Sequence, residues 1–206
     1  PTTEEEDRVK MRLVIKNASE RLLKDIDDML DTAKIDAGKM AIQKSEADIN
    51  EVIQKASEEL SYMAQDRSIL IESHVDHNIP TFALDPARIG QVMANLLFNA
   101  IKYSQPHTVI DVYSRMKGGF VEVEVKDRGY GIEREKIELL FKPFAQANLA
   151  KRIKGTGLGL YITKAIINQH DGKVWIESEV GKGTSVYFTL PVHKEEFVAQ
   201  KKQILN

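Results

Sequence analysis

Residues 85–104, DPARIGQVMANLLFNAIKYS, read as a helix with strong start signals, and that helix limits what the rest of the chain can build. Asp85 is suited to cap free amides, and Pro86 suits a first helical position. Ile89, Val92, Met93, Leu96, Leu97 and Ala100 recur at three- and four-residue steps, giving one broad apolar face that needs a core. Gln91, Asn95, Asn99 and Lys102 line up on another face. Asparagine is a poor interior helix residue because its amide competes for backbone partners. Two of them one turn apart call either for a polar ligand or metal, or for partners within the protein.

A chain of 206 residues has room for one real core with an appendage, or for two small domains. Its 42% hydrophobic and 29% charged content is ordinary for a globular protein. A net charge of -2 with interspersed signs offers no field for nucleic acid or an anionic bilayer. Nucleic acid is therefore excluded as an expected partner. The absence of cysteine rules out disulfides and thiolate metal sites and suits a reducing compartment. No apolar run approaches a membrane span, and no signal peptide opens the chain. Because Pro1 is not an initiator methionine, the sequence suggests a cut or processed amino terminus.

From residue 7 to about residue 35 a helical pattern runs, with Met11, Ile15, Ala18, Leu22, Ile26, Met29 and Ala33 forming a stripe that Leu13, Leu23 and Leu30 widen. A single helix of that length cannot bury its own face, so it needs another helix or the rest of the chain. Gly38 should stop it, and residues 39–47 read as a joint. A second helix opens at Asp48, with Glu51 three residues on in capping-box fashion and Ile49, Val52, Ile53, Ala56, Leu60 and Met63 as its core stripe. Residues 68–74 and 81–84 read as strands before the central helix, and residues 108–116 and 120–125 alternate around Gly118 and Gly119 as a hairpin. A short helix over residues 133–141, a helix over 158–169 that ends in a glycine cap at Gly172, and strands over 173–178 and 184–190 around Gly181 to Gly183 complete the pattern. The order of elements predicts an α+β fold, a mixed sheet covered by helices on one face, preceded by one long amphipathic helix.

Glycines mark the candidate chemistry. Asp127-Arg128-Gly129-Tyr130-Gly131 follows a strand directly, so a carboxylate sits at a strand end while two glycines let backbone approach a ligand, or simply make a tight turn. Gly155-Thr156-Gly157-Leu158-Gly159-Leu160 runs into a helix, an arrangement that exposes amides at a positive helix end and suits phosphate. It is neither the dinucleotide fingerprint nor the P-loop. Residues 142–154 are long for a connection and carry Lys151, Arg152 and Lys154, which read as a lid with phosphate-seeking charges or as a solvated basic loop.

The succession NxxxNAxKYS, DxGxG, FxxF, GTGLGL and GxGT resembles the ATP-binding domain of sensor histidine kinases, within the superfamily that includes gyrase, mismatch-repair and heat-shock chaperone ATPases. The resemblance spans residues 47–192, a two-layer α/β sandwich in the family. Residues 1–46, with their IDAGKM tail, resemble the second helix of the family's dimerisation and phosphotransfer domain plus a joint, and residues 193–206 form a tail. What it implies is Mg-ATP as the cofactor, Asn99 as the Mg2+ ligand, Asn95 near the phosphates, Lys102 on phosphate oxygens and Tyr103 along the base or ribose. Asp127 would accept from the adenine amino group, while Gly129, Gly131 and Ile132 would admit and line the ring. Phe141 and Phe144 would anchor a lid that includes Arg152. Gly155, Thr156, Gly157, Leu158, Gly159 and Leu160 would cradle phosphates, and Thr184 would close the far side.

The family's acceptor box, a histidine followed by an acid and then Ser/Thr-Pro, surrounds none of His74, His77, His107, His170 or His193. The expected function is therefore phosphoryl transfer from ATP to a histidine of an upstream segment, in the kinase core of a two-component system. The alternatives are a degenerate ATP-binding regulator, an ATPase-type switch, or an interaction module built on the first helix. Hydrolysing members of the superfamily carry a glutamate four residues before the magnesium asparagine; here that position is Asn95, which cannot serve as a general base. The resemblance also implies a response regulator as partner, a homodimer through the N-terminal helix, and a cytoplasmic place, with no membrane segment in this chain but a possible membrane-bound parent.

Overall fold

The computed structural model describes residues 2–145 and 156–192. It divides into two compact units, Pro1–Met40 and Ala41–Asn206. The first is one helix, α1 (Thr2–Asp36), which starts earlier than residue 7 because the acidic run EEED suits the positive end of a helix. Gly38, at φ +65°, turns the chain out of it. Met11, Ile15, Leu22, Ile26 and Met29 of its stripe are all exposed.

The second unit opens with β1 (Ser45–Ala47), paired antiparallel with β3 (Phe82–Leu84). The joint expected over residues 39–47 thus ends in a strand that Ser-Glu-Ala, poor in β-branched residues, does not announce. Helix α2 (Ile49–Gln65) is capped by Asp48, which accepts from the amide of Asn50, one residue earlier than the capping box has it. Its face differs from the expected stripe at the end: Ala64 is buried, whereas Met63 is 41% exposed. Strand β2 (Leu70–Val75) and β3 precede α3 (Pro86–Tyr103), whose Asp85 accepts from the Arg88 amide at 3.1 Å. Ile89, Val92, Met93, Leu96, Leu97 and Ala100 are all buried, at about 1.5–3 kcal/mol for each large side chain. Strands β4 (Val109–Lys117) and β5 (Phe120–Lys126) come next, then α4 (Arg134–Ile137) with a 3-10 turn (Glu138–Phe141), α5 (Gly159–Gln169), β6 (Lys173–Glu179) and β7 (Gly183–Pro191). Between β4 and β5, Gly118 and Gly119 have φ +58° and +83°, the left-handed pair that a two-residue type I′ hairpin requires.

The five-stranded sheet has the order β2-β4-β5-β7-β6, with β2 parallel to β4 and every other pair antiparallel. The α+β expectation holds: helices pack on one face of a mixed sheet. Register sets Val112, Val125, Val186 and Ile176 in one inner row and Val123 with Phe188 in the next. Asn50 of α2 accepts from the Ser114 hydroxyl at 2.8 Å, tying that helix to the inner face. The outer face is polar, and its acids lie under cations: Arg128 holds Asp111 at 2.8 Å, Lys117 holds Glu122 at 3.1 Å, and Arg115 reaches Glu124 at 3.4 Å.

The end of α5 corrects one expectation. The glycine cap expected at Gly172 is displaced by one residue, since the left-handed position is Asp171, at φ +60°. Gly172 is needed for a different reason: a Cβ there would stand 2.0 Å from the Thr189 carbonyl oxygen.

Candidate nucleotide-binding site

The site residues gather around the C-terminal half of α3. On one side, Asn95 Nδ2 donates to the Gly159 carbonyl at 3.4 Å, which joins α3 to the first residue of α5. Asn95 is 3% exposed, and its amide is taken up by protein. On the other side, Ser104, the cap of α3, makes an isolated β-bridge with Gly129 of the loop after β5. Asn99 lies between the junctions, about 6 Å along the axis from Asn95 and about 7.5 Å from Ser104. It is half-buried, and its amide has no hydrogen-bond partner among the described residues. Gln91, further back on the same face, accepts from Arg88 at 2.9 Å.

The open end of α3 has its own support. Arg67, just before β2, donates to the carbonyls of Ile101 and Ser104, placing a cation at the negative helix terminus. Lys102 lies over the Tyr103 ring, 4.8 Å from its centroid. Sequence reasoning gave Arg67 no role, because its targets lie more than thirty residues away.

Asp127 comes directly after β5 and is 8% exposed. Its Oδ1 accepts from the Gly129 amide at 2.8 Å and the Thr184 amide at 3.2 Å. Its Oδ2 has no partner among the described residues. Burial raises its pKa from 3.8 to about 6, against the pull of those two amides. The backbone around it is close-packed. A Cβ on Gly129 would stand 2.3 Å from the Tyr103 carbonyl oxygen, and one on Gly131, at φ +67°, would stand 2.0 Å from that of Glu179. Gly183 likewise abuts the Asp127 carbonyl. Beside this loop, the Ile132 amide donates to Ser178 Oγ at 2.8 Å, and Ser178 also meets the Gly183 carbonyl and the Thr184 hydroxyl, each at 2.9 Å. Nothing in the local sequence singles out Ser178; only the β6 to β7 register brings it there.

The glycine-rich motif is described from Thr156 onward. Arg152 and Gly155, with the lysines at 151 and 154, lie outside the described residues. The Leu158 amide donates to Thr156 Oγ1 at 3.4 Å. Leu158 is fully buried, so only its backbone can face a ligand, and Leu160 is half-buried. Gly157 has φ +75°, and a Cβ there would stand 2.6 Å from the Ala145 carbonyl oxygen, so the two ends of the intervening segment meet. Phe144, at φ +60°, is 64% exposed, and Lys164 lies 5.5 Å from the ring centre of Phe141.

His170 sits elsewhere. Its Nε2 accepts from the Asp85 amide at 3.0 Å and its Nδ1 lies 2.8 Å from the Ile166 carbonyl, so it is a buried pin at the N-terminus of α3. The 18 residues of α3 put that end about 27 Å from the C-terminal one.

A buried carboxylate with one free oxygen suits a ligand amino group, while Gly129, Gly131, Gly157 and Gly183 are required by the protein's own backbone, which a Cβ at any of the four would strike. Asn99 supplies a hard oxygen donor suited to Mg2+.

Residues 84–194, more than half of the chain, match the family of histidine kinase-, DNA gyrase B- and HSP90-like ATPases. The chain is 30% identical to the autoinducer 2 sensor kinase/phosphatase LuxQ of Vibrio vulnificus, over 91% of this chain and 23% of that protein. It is 34% identical to the non-motile and phage-resistance protein of Caulobacter vibrioides, over 88% of this chain and 22% of the relative. It thus spans under a quarter of the length of these curated relatives. Among solved structures, full-length ShkA in complex with AMPPNP aligns with a TM-score of 0.77 and 26% identity, covering 87% of this chain and 37% of that one. Among the described residues, no helix is long and apolar enough to cross a membrane. The chain therefore belongs to the histidine kinase-, DNA gyrase B- and HSP90-like ATPase family, in which it is an ATP-binding catalytic domain of the histidine kinase kind.

Proposed function

We propose that the chain binds Mg-ATP and transfers its terminal phosphoryl group to a histidine of an upstream segment, as the kinase core of a two-component system on the cytoplasmic side. The observation that carries this is Asp127, whose Oδ1 is held by two backbone amides so that Oδ2 is left to accept from an adenine amino group. Asn99, between the two loop junctions, offers its amide oxygen to magnesium, and the bound ion neutralises charge at the terminal phosphates. Asn95 and the backbone from Thr156 to Leu160 border the phosphate side, with Lys102 within reach once it leaves the Tyr103 ring. Tyr103, Gly131 and Ile132 line the base side with Thr184. Phe144, whose backbone abuts Gly157, stands beside the glycine-rich motif.

Transfer is favoured over hydrolysis because no general base stands at Asn95, whose amide is held by Gly159. An imidazole is itself a nucleophile and needs mainly positioning and charge neutralisation. The exposed stripe of α1 supports residues 1–46 as one helix of a dimerisation and phosphotransfer bundle, in which a second copy and a response regulator would dock. The test uses labelled ATP. The chain alone should bind ATP and stay unlabelled, and adding a polypeptide that carries the upstream acceptor helix should yield an acid-labile, base-stable label on that polypeptide. A stable label on the chain itself, or no transfer to the acceptor despite binding, would overturn the reading.

A further inference from the structure

Three ligand-bearing side chains converge at the sheet edge, apart from the nucleotide site: Glu72 and His74 of β2, and Asp111 of β4. The two-residue strand period sets Glu72 and His74 on one face, the outer one, and parallel register sets Glu72 beside Asp111 and His74 beside Tyr113. His74 Nε2 lies 3.3 Å from Asp111 Oδ1 and 3.9 Å from Glu72 Oε2, and all three donor atoms lie within 4.8 Å of one another. A tetrahedral ion with bonds of about 2.1 Å needs donor spacings of about 3.4 Å. His74 and Asp111 already stand at that spacing, and the exposed Glu72 side chain has room to close in.

Both better-placed donors are oriented by their neighbours. The His74 ring stacks on Tyr113, with centroids 4.7 Å apart and planes at 21°. Asp111 is 5% exposed, and Arg128 Nη2 holds its Oδ2 at 2.8 Å, which leaves Oδ1 turned toward the imidazole. Such outer contacts are what fixes ligands at a metal centre. Two carboxylates offset by one guanidinium leave a net negative charge that a dication would neutralise. One imidazole with two carboxylates suits zinc and its neighbours, whereas magnesium and calcium prefer oxygen alone.

We propose that Glu72, His74 and Asp111 form a surface site for a divalent transition metal ion of the zinc class, with water in the fourth position, pinning edge strand β2 to β4. The competing account is a bare His74–Asp111 hydrogen bond beside a glutamate. Calorimetric titration of the chelator-treated chain with zinc chloride, without nucleotide, tells the two apart. The expected result is one ion per chain, a visible band of four-coordinate geometry when cobalt replaces zinc, and a raised thermal midpoint. His74→Gln should lower zinc affinity at least about tenfold and remove both the cobalt band and the midpoint rise. Its midpoint without metal reports whether the variant folds, and Glu72→Gln gives a second variant on an exposed side chain. His77→Gln, on the exposed turn after β2, should leave binding as in the parent. Absence of zinc binding, affinity unchanged in both His74→Gln and Glu72→Gln, or an equal loss in His77→Gln would overturn the site.

Discussion

The two ends of α3 carry polar groups of similar kind and treat them in opposite ways. At the N-terminus, Asp85 accepts from the amides of Arg88 and Gln43, at 3.1 and 2.8 Å, while its own amide donates to His170. At the C-terminus, Asn99 has no side-chain partner among the described residues, Asp127 keeps a free Oδ2, and Ser104 Oγ is buried without a partner. A saturated cluster of buried polar groups holds a fold together, whereas an unsaturated one retains capacity for a ligand. The sequence marks Asp85 as a cap but leaves open whether the polar groups toward the other end are satisfied within the protein. The hydrogen-bond inventory separates them.

The comparison can be broken most forcefully at the saturated end. His170→Ala removes a buried acceptor, strands the Asp85 amide and leaves a cavity, so it should cost about 3 kcal/mol of stability in denaturant melts. The folded fraction should bind ATP as the parent does; a binding loss beyond the unfolded fraction would erase the distinction. At the open end, Asp127→Asn should show the reverse pattern. It sets a donor against the adenine amino group and should weaken ATP by about 2 kcal/mol, near thirtyfold, with no loss of melting temperature at neutral pH. Titration with ATP and GTP reads it, and parent-like ATP binding would reduce Asp127 to a turn residue.

Acid should affect the two ends in opposite directions. Burial lowers the pKa of His170 below 6.5, so its contribution is complete above 6.5 and is lost as pH falls from there toward the folded value. Burial raises that of Asp127 from 3.8 to about 6, so its contribution to folding is complete below 3.8 and is lost as pH rises through 6. The adenine contact needs the carboxylate form. Between pH 6 and 5 the ATP affinity of the parent should therefore fall about fivefold, and that of Asp127→Asn should not, apart from the ligand's own titration. The smallest effect belongs to Ser104→Ala, which deletes a buried hydroxyl without a partner and should leave stability within about 1 kcal/mol of the parent or raise it. A larger loss would mean that Ser104 has a bound water.

Much of this was legible in the residues. The period of α3, its Asp85 cap, the Gly118-Gly119 hairpin and the DxGxG and glycine-rich signals are local, and the structure realises the elements they mark. What escaped depends on pairs far apart along the chain. Ser178 reaches Ile132, Arg67 reaches Ser104, and His170 reaches Asp85, and none has a neighbour in sequence that advertises the contact. Asp171 escaped for a different reason: an aspartate and a glycine side by side both suit a left-handed turn, and only the nearness of the Thr189 carbonyl to Gly172 decides between them.

The one parallel pairing in the sheet has a kinetic consequence. The β4–β5 and β6–β7 hairpins close over short turns, but β2 can join β4 only after β3 and α3 have been laid between them. Such closures are slow because a long stretch of chain loses its freedom before the contact is made. Arg67 precedes β2, so the cation reaches the carbonyls of α3 only when β2 docks. In refolding from denaturant, backbone structure should return first and nucleotide affinity should lag behind it. Replacing Gly118 and Gly119 should slow the early phase, and Arg67→Ala should change only the later phase, once β2 has docked.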